Sequence, residues 1–342
     1  MNLHVFLIIV AIVLATVDIF LWSWVLRLYR KEKKPVVLHR LTLFGRVYER
    51  EQVVAATVLM VPVLIAVFML FILPVIQVVF YSFTNMTTSK RGTFVGLENF
   101  KYLIGDSKFF KAIGNTALFA CLKLVFDTGL ALIIALMLDS SIPFRKFLRS
   151  TYFAPVVVPV VASSLIWIWF FDPDVGPLNM ILSSVFHISE ENLPLWLSSK
   201  NTALISILMF SVWKGLGYNV MLFLTGLQNI PDSYIEASKV DGATWWQSLV
   251  KIKLPLLRPI TSFVVMIGII NTFKVFAEID VMTPTGGPGY STAMIVTYIY
   301  EQAFTRGKMG RACAASIILF VIIFILTQIQ SRMNASKTVD YD

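Results

Sequence analysis

The sequence predicts an all-α membrane protein with seven transmembrane helices, on three observations. The first is composition: of 342 residues, 57% are hydrophobic and 14% charged, where soluble domains run to roughly half apolar and a quarter charged. The second is a series of seven apolar runs, each long enough to cross about 30 Å of hydrocarbon as a helix. The third is charge. Assigning alternate loops to the two sides of a membrane puts seventeen Lys and Arg on one side and eight on the other, the bias that leaves basic loops in the cytoplasm. The net charge of +9 therefore reads as orientation beside lipid, and no nucleic-acid surface is expected. Cys121 and Cys313 lie inside apolar runs, and His4, His39 and His187 are scattered. That excludes a disulfide framework and a metal spacing.

The first run, Leu3 to Leu26, has nothing basic before it and Arg27, Arg30, Lys31, Lys33 and Lys34 after it. This order places the N-terminus outside and argues for an uncleaved span, since a signal peptide carries its charges first. Asp18 within it reads as a polar group facing a neighbouring helix. Residues 1–52 are thus expected to form an extra N-terminal span with a basic cytoplasmic linker, and residues 53–342 the main transmembrane domain. The second run, Val53 to Phe83, contains Pro62 and Pro74, tolerated in membrane helices where neighbours re-satisfy the freed carbonyls. Thr84 to Lys111 is a polar external loop holding five of the eight outer basic residues, locally against the bias. The third run, Ala112 to Leu138, returns inward. After the basic turn Arg145-Lys146-Phe147-Leu148-Arg149, the fourth, Ser150 to Phe171, goes out. Beyond the external loop Asp172 to Lys200, the fifth, Asn201 to Leu224, comes back in. The sixth, Ile260 to Met282, leaves again, and the seventh, Arg311 to Ile329, brings the C-terminus into the cytoplasm.

Between the fifth and sixth runs lies Gly226 to Pro259, with Asp232, Glu236, Lys239, Asp241, Lys251, Lys253 and Arg258, too many charges for hydrocarbon. The pattern predicts an elbow of two short helices. Pro231 blocks back-extension of the first, Asp232 or Ser233 can cap it, and Ser233-x-x-Glu236 fits a capping box. Gly242 stops it. The second starts near Thr244, carries Trp245, Trp246, Leu249 and Ile252 on an apolar face, and is expected to end before Pro255. Helices this short, below roughly 12 residues, are marginal alone, so something must pack on them.

Glu236-Ala237-Ser238, then Gly242, then Ile252-x-Leu254-Pro255 resembles the EAA motif in permease subunits of binding-protein-dependent ABC importers. Leu227-x-x-Ile230-Pro231 and Val240-Asp241-Gly242-Ala243 match as well. Ser238 stands where the family usually has alanine. The resemblance covers roughly Val53 to the C-terminus, a core of six spans, with the leading span outside it as an orientation anchor. It implies that the first elbow helix is a coupling helix docking into a groove of an ATP-binding cassette ATPase dimer, with Glu236, Ala237, Ser238, Asp241, Gly242 and Ala243 as coupling residues. Gly96-Leu97-x-Asn99-Phe100 resembles a segment found at this place in the same permeases.

The chain has no phosphate-cradling loop of its own, since Gln302 stands where the first glycine before Gly307-Lys308 belongs. No nucleophile elbow or histidine–carboxylate pair at catalytic spacing is present either, so no enzyme and no cofactor are expected, and ATP must bind another chain. Ionisable residues inside the apolar runs are the remaining leads. Lys123 and Asp127, at i and i+4, read as bundle glue. Asn271, Lys274 and Glu278 would share one face of a helical sixth run, with Lys274 and Glu278 close enough to pair. On the fifth, Trp213-Lys214-Gly215-x-Gly217-Tyr218-Asn219 mixes an aromatic face with hydrogen-bonding groups, as carbohydrate recognition requires.

Thr272-Phe273-Lys274-Val275-Phe276, leading to Thr285-Gly286-Gly287-Pro288 and Ser291-Thr292, resembles the maltose-type sugar-importer branch. That branch builds its pocket from the matching two spans, which makes Tyr218, Asn219, Asn271 and Lys274 the pocket candidates. Gly286 and Gly287 read first as an external turn. The resemblance implies a subunit of an inner-membrane sugar importer, with a second, different permease chain and an extracytoplasmic solute-binding protein as partners. Two rivals are the same machine carrying glycerol phosphate or a polyamine, and an ion-gradient carrier using Lys274 and Glu278 as relay residues. A membrane scaffold without transport is a third.

Overall fold

The computed structural model describes residues 40–43, 46–90, 92–140 and 143–335. The first apolar run, Leu3–Leu26 with Asp18, lies outside the described residues. The chain divides into two compact units, Met1–Phe80 and Tyr81–Asp342. In the first, β1 (Arg40–Leu43) pairs antiparallel with β2 (Arg46–Glu49), Arg40 opposite Glu49, in a stretch whose Thr, Val and Tyr favour strands. This hairpin is the exception, among the described residues, to the all-α expectation. α1 follows as Arg50–Val67, a π turn at Phe68–Ile72, and Leu73–Ser82. The π turn has a cause in the sequence. A proline ring collides with the carbonyl four residues back, and a wide turn ending two residues before Pro74 moves that carbonyl aside.

The second unit is a helical bundle: α2 (Glu98–Gly105), α3 (Ser107–Asp139), α4 (Arg145–Val157), α5 (Val160–Phe170), α6 (Pro177–Ser184), α7 (Ala203–Gln228), α8 (Asp232–Val240), α9 (Trp245–Leu256), α10 (Arg258–Phe273), α11 (Ala277–Met282), α12 (Ile295–Tyr300) and α13 (Met309–Ala335). Among the described residues, four helices are long and apolar enough to cross a membrane, within Leu59–Ser82, Ser107–Asp139, Ala203–Gln228 and Met309–Met333. Two bent pairs, α4 with α5 and α9 with α10, pass the same test together.

α3 and α7 form the centre, with α4 on α7 and α10 against α3 and α13. Small residues let the backbones approach, as membrane bundles require. Ala131 and Ala135 are fully buried with Val220, Phe223, Leu224, Leu257 and Val264. A Cβ on Gly217 would lie 2.0 Å from the Tyr152 carbonyl oxygen, so α4 crosses α7 at a point only glycine permits. The expected Lys123–Asp127 pair is present at 2.6 Å, and Lys123 also donates to the Ser211 carbonyl at 2.9 Å.

Two runs differ from expectation. The fourth is not one straight span: α4 and α5 meet at 101°. Pro159 has no amide for the Pro155 carbonyl, and the residue before a proline avoids helical geometry, which puts Val158 at φ −67, ψ 135. The sixth breaks at Lys274–Phe276 and resumes as α11. Val275 and Ile279 are buried there among Phe119, Ile207, Leu208 and Met294, contacts that this turn supplies. Lys274 and Glu278 therefore sit on different helices. The expected pair is absent among the described residues, and Glu278 instead accepts from Ser211 at 3.1 Å.

At the opposite end of α3 from Asp139, Asn99 is buried and donates to the Ser82 and Thr84 carbonyls, each at 2.8 Å. Two of the five basic residues that ran against the charge bias are engaged at this end. Lys111 donates to the Gly289 carbonyl at 2.7 Å, and Lys108 lies 5.1 Å from the Tyr290 ring centre. Arg306 pairs with Glu301 at 2.7 Å. Burial and the Glu301 and Asp106 carboxylates push the phenols of Tyr290 and Tyr298 above their ordinary range, so both stay protonated donors to those acids. Gly286, Gly287 and Gly289 all have positive φ, as an external turn of this tightness demands.

Candidate functional site

The elbow forms as two helices joined by Asp241–Thr244. The turn is a Schellman closure: the Gly242 amide donates to the Lys239 carbonyl at 3.1 Å and the Ala243 amide to the Ser238 carbonyl at 2.9 Å. Gly242 takes φ +74, which costs an L-residue about 1–2 kcal/mol. The capping box sits elsewhere than expected. α8 begins after Pro231 without a side-chain cap, leaving Glu236 exposed with no hydrogen bond or ion pair among the described residues. The box caps α9 instead. Thr244 accepts from the Gln247 amide at 3.3 Å, and the Gln247 side chain accepts from the Thr244 amide at 2.8 Å.

α9 also runs past its expected end, through Pro255 to Leu256. The reason is the same as in α1. A π turn at Leu249–Lys253 ends two residues before the proline, with the Leu254 amide reaching the Leu249 carbonyl. The axis then bends by 61° into α10, so α9, with Lys251 and Lys253, turns off the line of the apolar helix.

Three contacts make the elbow stiff. Ser238, buried on α8, donates to the Ile235 carbonyl at 2.8 Å and lies 3.3 Å from the Ser248 hydroxyl on α9. The usual alanine could not make this link. Lys253 pairs with Asp139, the last residue of α3, at 3.0 Å. At the root, a Cβ on Gly226 would meet Leu257 and Ile260, both at 2.9 Å, so α7 and α10 are locked side chain to backbone. The outer face is the reverse, with Val240 88%, Trp245 67% and Trp246 65% exposed. The tryptophans expected on a packed face are thus uncovered by this chain, while Ser248 and Leu249 turn inward.

Lys253 and Asp139 are both about a fifth exposed, which limits the pair to roughly 1 kcal/mol after solvent screening. We expect Lys253→Met and Asp139→Asn to be non-additive in thermal stability. Strict additivity in that double-mutant cycle would show that α9 is not tied to α3 there.

The four pocket candidates fall in two places. Tyr218, 44% exposed, and half-buried Asn219 lie on α7. Asn271 and Lys274 are exposed at the end of α10, where the Lys274 amide donates to the Asn271 carbonyl at 3.1 Å. Among the described residues none of the four side chains forms a hydrogen bond or ion pair. Their neighbour Lys214 has a different role from that expected. Its ammonium donates to the carbonyls of Pro155 at 2.5 Å, Val158 at 2.6 Å and Val156 at 3.2 Å, using all three protons on the break between α4 and α5. The signal for it was Pro155 and Pro159 at a spacing of four, which orphans a carbonyl inside an apolar run.

Comparison with known proteins follows the same outline. Residues 127–338 match the family of binding-protein-dependent transport system inner membrane components. The chain is 34% identical over 279 residues to the multiple sugar-binding transport system permease protein MsmF of Streptococcus mutans, covering 81% of this chain and 94% of the relative. It is 32% identical over 251 residues to the sn-glycerol-3-phosphate transport system permease protein UgpA of Agrobacterium fabrum, covering 72% and 83%. The fold matches a chain of a bacterial ABC transporter involved in import of the acidic polysaccharide alginate, with TM-score 0.74 and 24% identity over 85% of this chain and 97% of that one. A multi-pass helical bundle and a family match across most of it lead to one identification: the chain belongs to the inner-membrane permease components of binding-protein-dependent ABC importers.

Proposed function

We propose that this chain is one permease subunit of an ATP-driven sugar importer, and that α8 and α9 are the lever through which an ATPase dimer moves it. The observation that carries the reading is an elbow stiff at its root and uncovered outside. Leu257 and Gly226 fix it to the bundle, while Glu236, Val240, Trp245 and Trp246 are exposed. Helices this short need a cover, and the EAA-like residues lie on them. Glu236, Ala237, Ser238, Asp241, Gly242 and Ala243 are the proposed coupling residues. Of these, Gly242 and Ser238 set the shape and Glu236 faces the partner.

Sugar as cargo draws support from the name of MsmF. Glycerol phosphate is the second reading, supported by the name of UgpA. Tyr218, Asn219, Asn271 and Lys274 would line the path where a second, different permease chain closes over them, fed by an external solute-binding protein. The proposed topology keeps a seventh span at the N-terminus, residues 1–52 as an appendage to the 53–342 domain, the N-terminus outside and the C-terminus in the cytoplasm.

Purifying the tagged chain in mild detergent is expected to bring down an ATPase and a second permease. In proteoliposomes, ATP hydrolysis by that assembly should rise when binding protein and sugar are added. A chain that purifies alone and transports on an ion gradient would replace this reading with the carrier. Within the assembly, Glu236→Lys should lower sugar uptake to background with normal insertion, because it reverses the charge the elbow presents to its partner. Unchanged uptake would remove Glu236 from coupling.

A further inference from the structure

Arg145 and Arg149 open α4 at the end of the bundle where α7 closes on Gln228. With its amide turned to accept, the Gln228 oxygen receives Arg149 at 2.7 Å and Arg145 at 3.0 Å. Two guanidiniums that never lose their charge thus converge on one neutral atom. Neither takes part in an ion pair among the described residues, whose three pairs are Lys123–Asp127, Lys253–Asp139 and Arg306–Glu301. Among the described residues the Nε of each is buried and has no hydrogen-bond partner, so neither forked donor set is filled. Two guanidiniums side by side with no carboxylate partner favour an anion rich in acceptor oxygens.

The surroundings indicate which anion. Phe144 and Phe147, beside the two arginines, are 80% and 68% exposed, and Lys146 between them is exposed as well. Aromatic rings next to basic side chains at the start of a helix pair that is together apolar enough to cross a membrane are the composition of a membrane interface. A soluble anion would have no use for the rings. Gln228 lies just before the elbow, so the site is at the elbow's end of the bundle, in the cytoplasmic leaflet of the proposed topology.

We propose that Arg145, Arg149 and Lys146 bind the phosphate of an anionic phospholipid, with Phe144 and Phe147 seated among its upper acyl carbons. Bound there, the headgroup neutralises the arginine pair and fastens the start of α4 to the end of α7, the helix that delivers the elbow. Lipid therefore stiffens the root on which the lever turns.

The test is native mass spectrometry of the whole detergent-solubilised assembly after incubation with phosphatidylglycerol, phosphatidylcholine or inorganic phosphate. Phosphatidylglycerol should remain bound to the wild type, phosphatidylcholine should not, and millimolar phosphate should not displace the lipid. In Arg145→Gln/Arg149→Gln, retention should fall roughly thirtyfold, the worth of two basic residues near an anionic surface. Phe144→Ser/Phe147→Ser changes only exposed side chains, leaves folding intact, and should also weaken retention. Equal phosphatidylglycerol retention in both double variants would overturn the proposal. So would displacement by phosphate alone, which would make this a free-anion site, or crosslinking of position 145 to an acidic segment of another subunit.

Discussion

Gly242→Pro is expected to reduce uptake to background while leaving the chain in the membrane at its normal level. Proline holds φ near −65°, and position 242 needs φ +74. The substitution also removes the amide that closes on Lys239, so the Schellman turn cannot form and α9 loses its fixed angle to α8. The rest of the bundle does not depend on this turn, because Gly242 is exposed and nothing lies within 4 Å of its would-be Cβ. Gly242→Ala should be milder, costing about 1–2 kcal/mol of backbone strain. Uptake normalised to the amount of inserted chain separates shape from expression. Normal uptake in the proline variant would mean that the elbow's angle transmits nothing.

Lys214→Met should damage the protein in a different way, by lowering its stability. Methionine fills a similar volume but leaves the carbonyls of Pro155, Val156 and Val158 without their donor. Orphaning a buried acceptor costs about 1–3 kcal/mol; the Pro155 and Val156 carbonyls are part-buried and the Val158 one is exposed, so the first two set the loss and the third adds little. Thermal unfolding in detergent should shift well below wild type, and less chain should reach the membrane. Lys214→Arg should recover part of the loss, since a guanidinium can serve several carbonyls. A methionine variant as stable as wild type would show that the 101° bend is held by the prolines alone.

These two residues also mark what the sequence could and could not disclose. Among the described residues, the second, third, fifth and seventh apolar runs, the elbow between the fifth and sixth, its turn at Gly242 and its second start at Thr244 follow from local chemistry, and the fold has helices and turn there. Lys123 with Asp127 was legible for the same reason, being neighbours on one helix turn. The bend at Val158 was written in Pro155 and Pro159, yet a hydropathy reading passes over it because both flanking segments are apolar. Contacts between distant segments left no local trace. Nothing near Lys253 indicates Asp139, nothing near Ser238 indicates Ser248, and Lys214 on one run answers a defect in another. The Ser233–Glu236 box is not formed because the helix starts one residue earlier, at Asp232 with Pro231 in the cap position, and a similar pattern, Thr244 with Gln247, caps the other helix instead.

Crosslinking from position 240 tests the lever most directly. Val240 is 88% exposed at the tip of the elbow, and with Cys121 and Cys313 replaced by alanine, Val240→Cys provides a single thiol. Membrane-impermeant maleimide should label it in inside-out vesicles and not in right-side-out ones, and a short bifunctional reagent should join it to the ATPase subunit. Labelling from the outer face, or an assembly that hydrolyses ATP on transport yet yields no ATPase adduct from this position, would contradict the account.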